Sequence, residues 1–211
     1  MVISSAFHSD GRNLHFSGLL EDLREIGLCG VLAFDIETFS PNGFPYNFED
    51  PVVNFSLVAP FDGSGFLLLS VIGEPKLENA MLSLLHRLMP LFEGFRLLTY
   101  NGSRFDLEYT IERGHLYGLD FEDVFSSLHH IDVYRVVRWL NFNLPRFDQK
   151  SVERYFGFRR IIRWISGGTY HAFYRGFLKY GNLKPVFYNI EDSYGCLRIA
   201  DAISRLAREG I

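Results

Sequence analysis

The sequence predicts an α/β fold, a single domain in which a mixed sheet is flanked by helices. Three observations carry this. Apolar runs of strand length come early and follow one another closely. Later runs alternate with segments whose apolar residues recur at helical spacing. The chain has 211 residues, 47% of them hydrophobic, and no internal repeat, low-complexity tract or linker long enough to divide domains. That length suits one well-packed unit.

Residues 1–15 are polar and irregular and read as an extension or an added sheet edge. Leu19, Leu20, Leu23 and Ile26 form a helical stripe that Gly27 stops. We therefore expect an N-terminal extension with a helix over 1–27 and the domain proper over 28–211. Val31, Leu32, Ala33 and Phe34 read as a buried strand that ends in Asp35 and Glu37. After a loop at 39–51 rich in Pro, Asn and Phe, strands are expected over 52–59 and 65–71, joined by a turn at Asp62 and Gly63. An amphipathic helix over 76–92 leads to a short strand over 95–100. A further helix starts near Ser103, and another strand lies around 131–133. From Ser151 onward the pattern is helical, with breaks at Gly167-Gly168 and Gly181-Asn182. The last helix runs over 185–208, with Pro185 in the first turn, where a missing N–H costs little.

The net charge of −4 argues against broad adsorption to nucleic acid but leaves room for a local basic groove. The 21 phenylalanines and 11 tyrosines suit a large core and a surface on which bases stack. The two cysteines, Cys29 and Cys196, lack metal-ligand spacing and read as buried free thiols in a reducing compartment. The N-terminus has no basic-then-apolar signal, and no run approaches the roughly 18 apolar residues of a membrane span. A cytoplasmic protein is the expectation.

Three acidic clusters hold the chemistry. Asp35 and Glu37 stand two apart on a strand, so both carboxylates leave one face together, where a sheet otherwise wants apolar contacts. Unpaired buried anions are costly, and a divalent cation offsets that cost. Asp106 opens a helix after a strand, near where chemistry gathers in such sheets. Tyr188 and Asp192 are four apart and share a helix face, whereas Glu191 points about 100° away and is set aside. Each cluster alone also fits a strand-end cap, a first-turn acid or an ordinary helix face. Together, four carboxylates with no Cys or His suit Mg²⁺ or Mn²⁺ rather than zinc. Two such ions about 4 Å apart serve phosphodiester hydrolysis from both sides, which points to a metal-dependent nuclease.

Asp35-Ile36-Glu37, the run from Asn101 to Asp106, and Tyr188-x-x-x-Asp192, in that order, resemble the DEDD superfamily of 3′–5′ exonucleases. Position 188 is Tyr and position 187 is Phe, so the chain is similar to the tyrosine subclass, which includes the proofreading domains of family B DNA polymerases. His130-Ile131-Asp132, residues 151–157 and residues 188–192 look closest to the stand-alone relatives of those domains. The resemblance covers residues 28–207. It implies a ribonuclease-H-like fold and a two-ion site of Mg²⁺ or Mn²⁺ held by Asp35, Glu37, Asp106 and Asp192. It also implies that Tyr188 orients water, and that Asn101 and Phe105 lie beside the terminal nucleotide. The substrate implied is a 3′ end of single-stranded DNA, with RNA close behind, and no polymerase domain is expected. A structure-specific endonuclease and a non-catalytic nucleic-acid-binding module are the rival readings. Asp132 reads either as a site residue or as a structural strand-end acid. Arg135, Arg138, Arg146, Lys150, Arg154, Arg159, Arg160 and Arg163 crowd one region and would hold phosphates if they face the site. Trp139, Phe158 or Trp164 would stack bases beside them.

Overall fold

The computed structural model describes residues 2–8, 30–45, 47–61, 65–140 and 142–208. Its strands are β1 (Val2–His8), β2 (Val31–Thr38), β3 (Val52–Phe61), β4 (Gly65–Ile72), β5 (Arg96–Thr99) and β6 (His129–Asp132). They form one sheet in the order β1-β4-β3-β2-β5-β6. The β1–β4, β4–β3 and β3–β2 pairings are antiparallel, and the β2–β5 and β5–β6 pairings are parallel. The mixed sheet flanked by helices is as expected, and β1 supplies the added edge. The stripe from Leu19 to Ile26, Gly27, Cys29, the boundary between 27 and 28, and the turn at Asp62 and Gly63 lie outside the described residues.

The helices are α1 (Glu78–Leu88), α2 (Asp106–His115), α3 (Phe121–Ser126), α4 (Val133–Leu140), α5 (Gln149–Tyr155), α6 (Gly167–Tyr180) and α7 (Lys184–Arg208). Side-chain alternation along β2 sorts them into two layers. Leu32, Phe34 and Ile36 pack with Leu82 and Leu85 of α1, Tyr109 of α2 and Phe125 of α3. Val31 and Ala33 pack with Val137 of α4, Val152 of α5, and Leu197 and Ala200 of α7. Both faces of β2 are therefore covered, which is why its sequence is a continuous apolar run rather than an alternating one. Asp35 and Glu37 continue the odd-numbered face, the one that looks at α7.

A polar seam fixes α7 on the sheet. Ser56 Oγ donates to the Asn189 carbonyl at 2.9 Å and shares a 2.7 Å bond with Ser193 Oγ. Ser70 Oγ donates to Asn54 Oδ1 at 2.9 Å, and Asn54 Nδ2 donates to the Tyr170 hydroxyl at 3.2 Å. All of these groups are buried, so each needs its partner, and a slip of α7 would break several bonds at once. On the opposite layer, buried Glu78 accepts from Val52 N (2.7 Å), Arg113 and the Tyr117 hydroxyl (2.6 Å). Arg113 in turn donates to the Phe48 and Glu49 carbonyls and ties down the loop after β2.

Some boundaries differ from expectation: the strand expected around 131–133 is β6, which ends at Asp132, and Val133 opens α4. Gly167-Gly168 opens α6 rather than breaking a helix, because Ser166 caps it and Thr169 Oγ1 accepts from Ser166 N at 2.9 Å. The irregular stretch lies earlier, at 156–166. Cys196 is a buried free thiol.

Candidate active site

The acidic clusters meet where β2 ends under α7. The β2–β3 register shifts between Glu37 and Thr38, an irregularity of the kind that re-aims side chains at functional edges. Oxygens of Asp35, Glu37 and Asp192 lie within 4.8 Å of one another. Asp106, the first residue of α2, stands outside that tight group. Its Oδ1 accepts from the Ile36 N–H at 3.0 Å, so the backbone between Asp35 and Glu37 holds it in place. The structure thus gathers three of the four expected carboxylates closely and tethers the fourth beside them.

Their electrostatics follow from crowding. Burial, then Asp106, Asp192 and Glu37, push Asp35 well above the usual carboxylate range. Burial, then Asp192 and Asp106, do the same to Glu37. Burial pushes Asp106 up to about 7, against the pull of its Ile36 bond. Burial raises Asp192 as well, while the Arg160 guanidinium draws it back. An oxygen-only donor set whose members repel one another fits a hard divalent cation. No Cys or His belongs to the cluster among the described residues.

Tyr188 lies one turn before Asp192 on α7, and both line the same groove. Its ring is flanked by Lys150 Nζ at 5.0 Å and by the Arg160 guanidinium at 5.9 Å. Burial, first of all, pushes the phenol well above its ordinary value, so it stays a neutral hydrogen-bond donor. Asn101 is exposed, with φ of 64°, a left-handed conformation that Asn tolerates. Asp132 explains the turn: its carboxylate accepts from Asn101 N (2.8 Å), Ser103 N (3.3 Å), Ser103 Oγ (2.7 Å) and Tyr134 N (3.1 Å). Asp132 thereby holds the Asn101 loop. Phe105 packs between Tyr109 and Phe44, at ring separations of 5.2 and 5.4 Å. Glu191 points away, accepting from Ile161 N at 2.6 Å and Ile162 N at 2.9 Å.

Several contributors were not legible beforehand. Asn189 Nδ2 donates to Asp35 Oδ2 at 2.6 Å and fixes that carboxylate. Arg160 bridges Glu153 and Asp192, with 2.5 Å contacts to each. Gln149 Nε2 donates to the Asp192 carbonyl at 2.7 Å and to Glu153 Oε1 at 3.1 Å. Only the i, i+4 spacing of Gln149 and Glu153 on one helix face hinted at that pairing. The basic residues divide. Arg138, Arg146 and Lys150 line an open groove of about 840 Å³ together with Asp35, Asn101, Tyr188 and Asp192. Arg160 is buried, and Arg135 lies 3.9 Å from Asp132. Trp139 and Trp164 are exposed and line neither this groove nor the cavity that adjoins it. Phe158 is covered by the Arg198 guanidinium at 3.8 Å.

A family model described as RNase_H superfamily matches residues 32–203. The chain belongs to the RNase H superfamily. Two solved structures share the fold. A family B DNA polymerase from the hyperthermophilic archaeon Pyrobaculum calidifontis superposes with a TM-score of 0.62 at 20% identity, over 85% of this chain and 24% of the polymerase. Exonuclease I superposes with a TM-score of 0.55 at 16% identity, over 84% of this chain and 41% of that one. This chain therefore spans less than half of either neighbour. No curated protein matches it. Membership in the RNase H superfamily bears out the ribonuclease-H-like fold that the three acidic motifs implied, and within that fold lies a carboxylate cluster suited to divalent metal. No helix among the described residues is long and apolar enough to cross a membrane.

Proposed function

We propose that this RNase H-type chain is a 3′–5′ exonuclease that hydrolyses single-stranded nucleic acid, DNA before RNA, with two Mg²⁺ or Mn²⁺ ions. One observation carries the reading: Asp35, Glu37 and Asp192 converge, and two of them, Asp35 and Asp192, line the same groove as Arg138, Arg146 and Lys150. Carboxylate oxygens and cations sharing one groove are what a phosphodiester held against a metal site requires. Asp35, Glu37 and Asp192 would hold one ion, and Asp106 with Asp35 the other. Bound divalent ions supply Lewis acidity that activates water and offsets charge on the leaving 3′-oxygen.

The remaining roles belong to the chain. Asn189 and Arg160 keep Asp35 and Asp192 aimed. The Tyr188 hydroxyl orients the attacking water. Lys150, Arg138 and Arg146 hold the phosphate and its neighbours, and Asn101 and Phe105 border the terminal nucleotide. A cytoplasmic setting, with residues 1–27 as an appendage to the nuclease domain, completes the proposal.

The test is digestion of 5′-labelled single-stranded DNA and RNA with Mg²⁺, Mn²⁺ or EDTA, beside a covalently closed single-stranded circle. We expect a descending ladder on the linear strands, no cleavage in EDTA and survival of the circle. Rapid cutting of the circle would favour an endonuclease, and full activity in exhaustively chelated protein would overturn the metal assignment.

A further inference from the structure

A second cavity, of about 660 Å³, adjoins the acidic groove and shares Lys150 with it. Its lining is Lys150, Arg154, Phe158, Arg159, Arg160 and Arg163. Arg160 is neutralised by Glu153 and Asp192. The others are not neutralised. Lys150 donates to the Ile165 carbonyl, Arg154 to the Lys150 carbonyl (3.3 Å) and Ser151 Oγ (3.2 Å), and Arg163 to the Arg160 carbonyl (3.1 Å). None of Arg154, Arg159 and Arg163 has a carboxylate partner among the described residues. Like charges gathered in one concavity repel, and an anion placed among them removes that cost.

The cavity is also built rather than incidental. The irregular stretch that carries Phe158, Arg159, Arg160 and Arg163 is fastened at Ile161 N and Ile162 N by Glu191, the residue before Asp192. Ile162 and Ile165 anchor the same stretch in the apolar cluster that includes Tyr188. The arginines are thus held at a fixed offset from the carboxylate site. Arg198 covers one face of the Phe158 ring, and every other lining side chain is cationic. The chemistry on offer is mainly charge.

We infer that this cavity seats internucleotide phosphates of the substrate strand away from the bond being cut, gripping the backbone independently of sequence. It rests on the nuclease reading for the identity of the ligand, since free polyphosphate carries the same chemistry. A strand that reaches the cavity passes Lys150, the residue common to both concavities, so affinity grows with strand length once the strand extends beyond the acidic groove.

The experiment measures binding alone, in EDTA, by fluorescence anisotropy of the full chain with a length series of 5′-labelled oligothymidylates. In the parent protein, affinity should climb with length. In Arg159→Gln/Arg163→Gln the climb should vanish, with long strands bound about tenfold more weakly. The slope of log affinity against log salt should fall by about 1.4, as two lost single-strand phosphate contacts require. Arg159→Lys/Arg163→Lys should restore the salt slope, which a merely structural role for these exposed arginines would not do. Parental affinity and slope in the glutamine variant, or no length dependence in the parent, would overturn the inference. Inorganic tripolyphosphate that displaces long strands at equal phosphate concentration would overturn it in favour of a small-polyphosphate site. Because hydrolysis is not read, loss of the exonuclease assignment would leave this result standing, and the reverse also holds.

Discussion

Tyr188 and Asp192 share one helix face, yet their chemistry predicts different losses. A neutral phenol is a poor ligand for Mg²⁺, and burial keeps Tyr188 neutral. Tyr188→Phe should therefore keep Mn²⁺ affinity while slowing single-turnover hydrolysis by about 10²–10³, the usual cost of one oriented catalytic hydrogen bond. Asp192→Asn should weaken Mn²⁺ binding as well as turnover. Calorimetric titration beside single-turnover rates separates them, and equal loss of Mn²⁺ binding in both variants would remove the water-orienting role. At this scale the sequence showed the reactive groups but not their supports. Asp35 and Glu37 announced themselves by periodicity, because carboxylates at core-facing strand positions violate the hydrophobic pattern, whereas Asp106 and Asp192 stood out through the motif order that resembles the DEDD superfamily. Asn189, Gln149, Glu153 and Arg160 look like ordinary helix and loop residues, and only tertiary packing brings them onto the carboxylates.

Among elements, the contact of α5 with α7 decides how firmly Asp192 is held. Gly195, one turn beyond Asp192, lets the helices approach: a Cβ there would overlap the Glu153 carboxylate and meet Gln149 Nε2. Glu153 grips Arg160, and Arg160 grips Asp192. In an isolated helix, Gly→Ala is stabilising by about 1 kcal/mol. Here overpacking should win, and Gly195→Ala should destabilise by about 1–3 kcal/mol in urea unfolding and weaken Mn²⁺ binding. A more stable Gly195→Ala protein with parental Mn²⁺ affinity would show that the close approach is unimportant. Long periodic elements such as α7 and the apolar run of β2 were legible in the sequence, since local pattern and packing agree there. The stretch 156–166 was not, because what fixes it is Glu191 accepting two backbone N–H groups some 30 residues away, which no local pattern records.

For the whole molecule, four crowded carboxylates, three buried and Asp35 half-buried, make stability depend on protons and metal together. Asp35, Glu37, Asp106 and Asp192 all have folded-state values raised above their ordinary ones, Asp106 to about 7. The folded chain therefore binds protons more tightly than the unfolded chain. Stability from these groups is fully present below about pH 4, where both states are protonated, and is lost as pH rises through the folded values. In EDTA the melting temperature should thus fall from pH 6.5 to pH 8, by about 2–4 °C for each kcal/mol lost. His130 pulls the other way, since burial lowers its value and its contribution fades only as pH falls. Comparison with Asp106→Asn isolates the carboxylate effect: the variant should melt higher than the parent at pH 8 in EDTA, with a shallower pH dependence. Mn²⁺ at about 100 times its Kd adds about 2.7 kcal/mol. That corresponds to a rise of about 5–10 °C for a chain of this size. The rise should be larger at pH 8 than at pH 6.5, because protons and metal compete for the same oxygens. A parent protein whose EDTA melting temperature increases between pH 6.5 and pH 8 in step with Asp106→Asn, or whose Mn²⁺ shift is equal at both, would show that these carboxylates are not the coupled acid cluster that their burial implies.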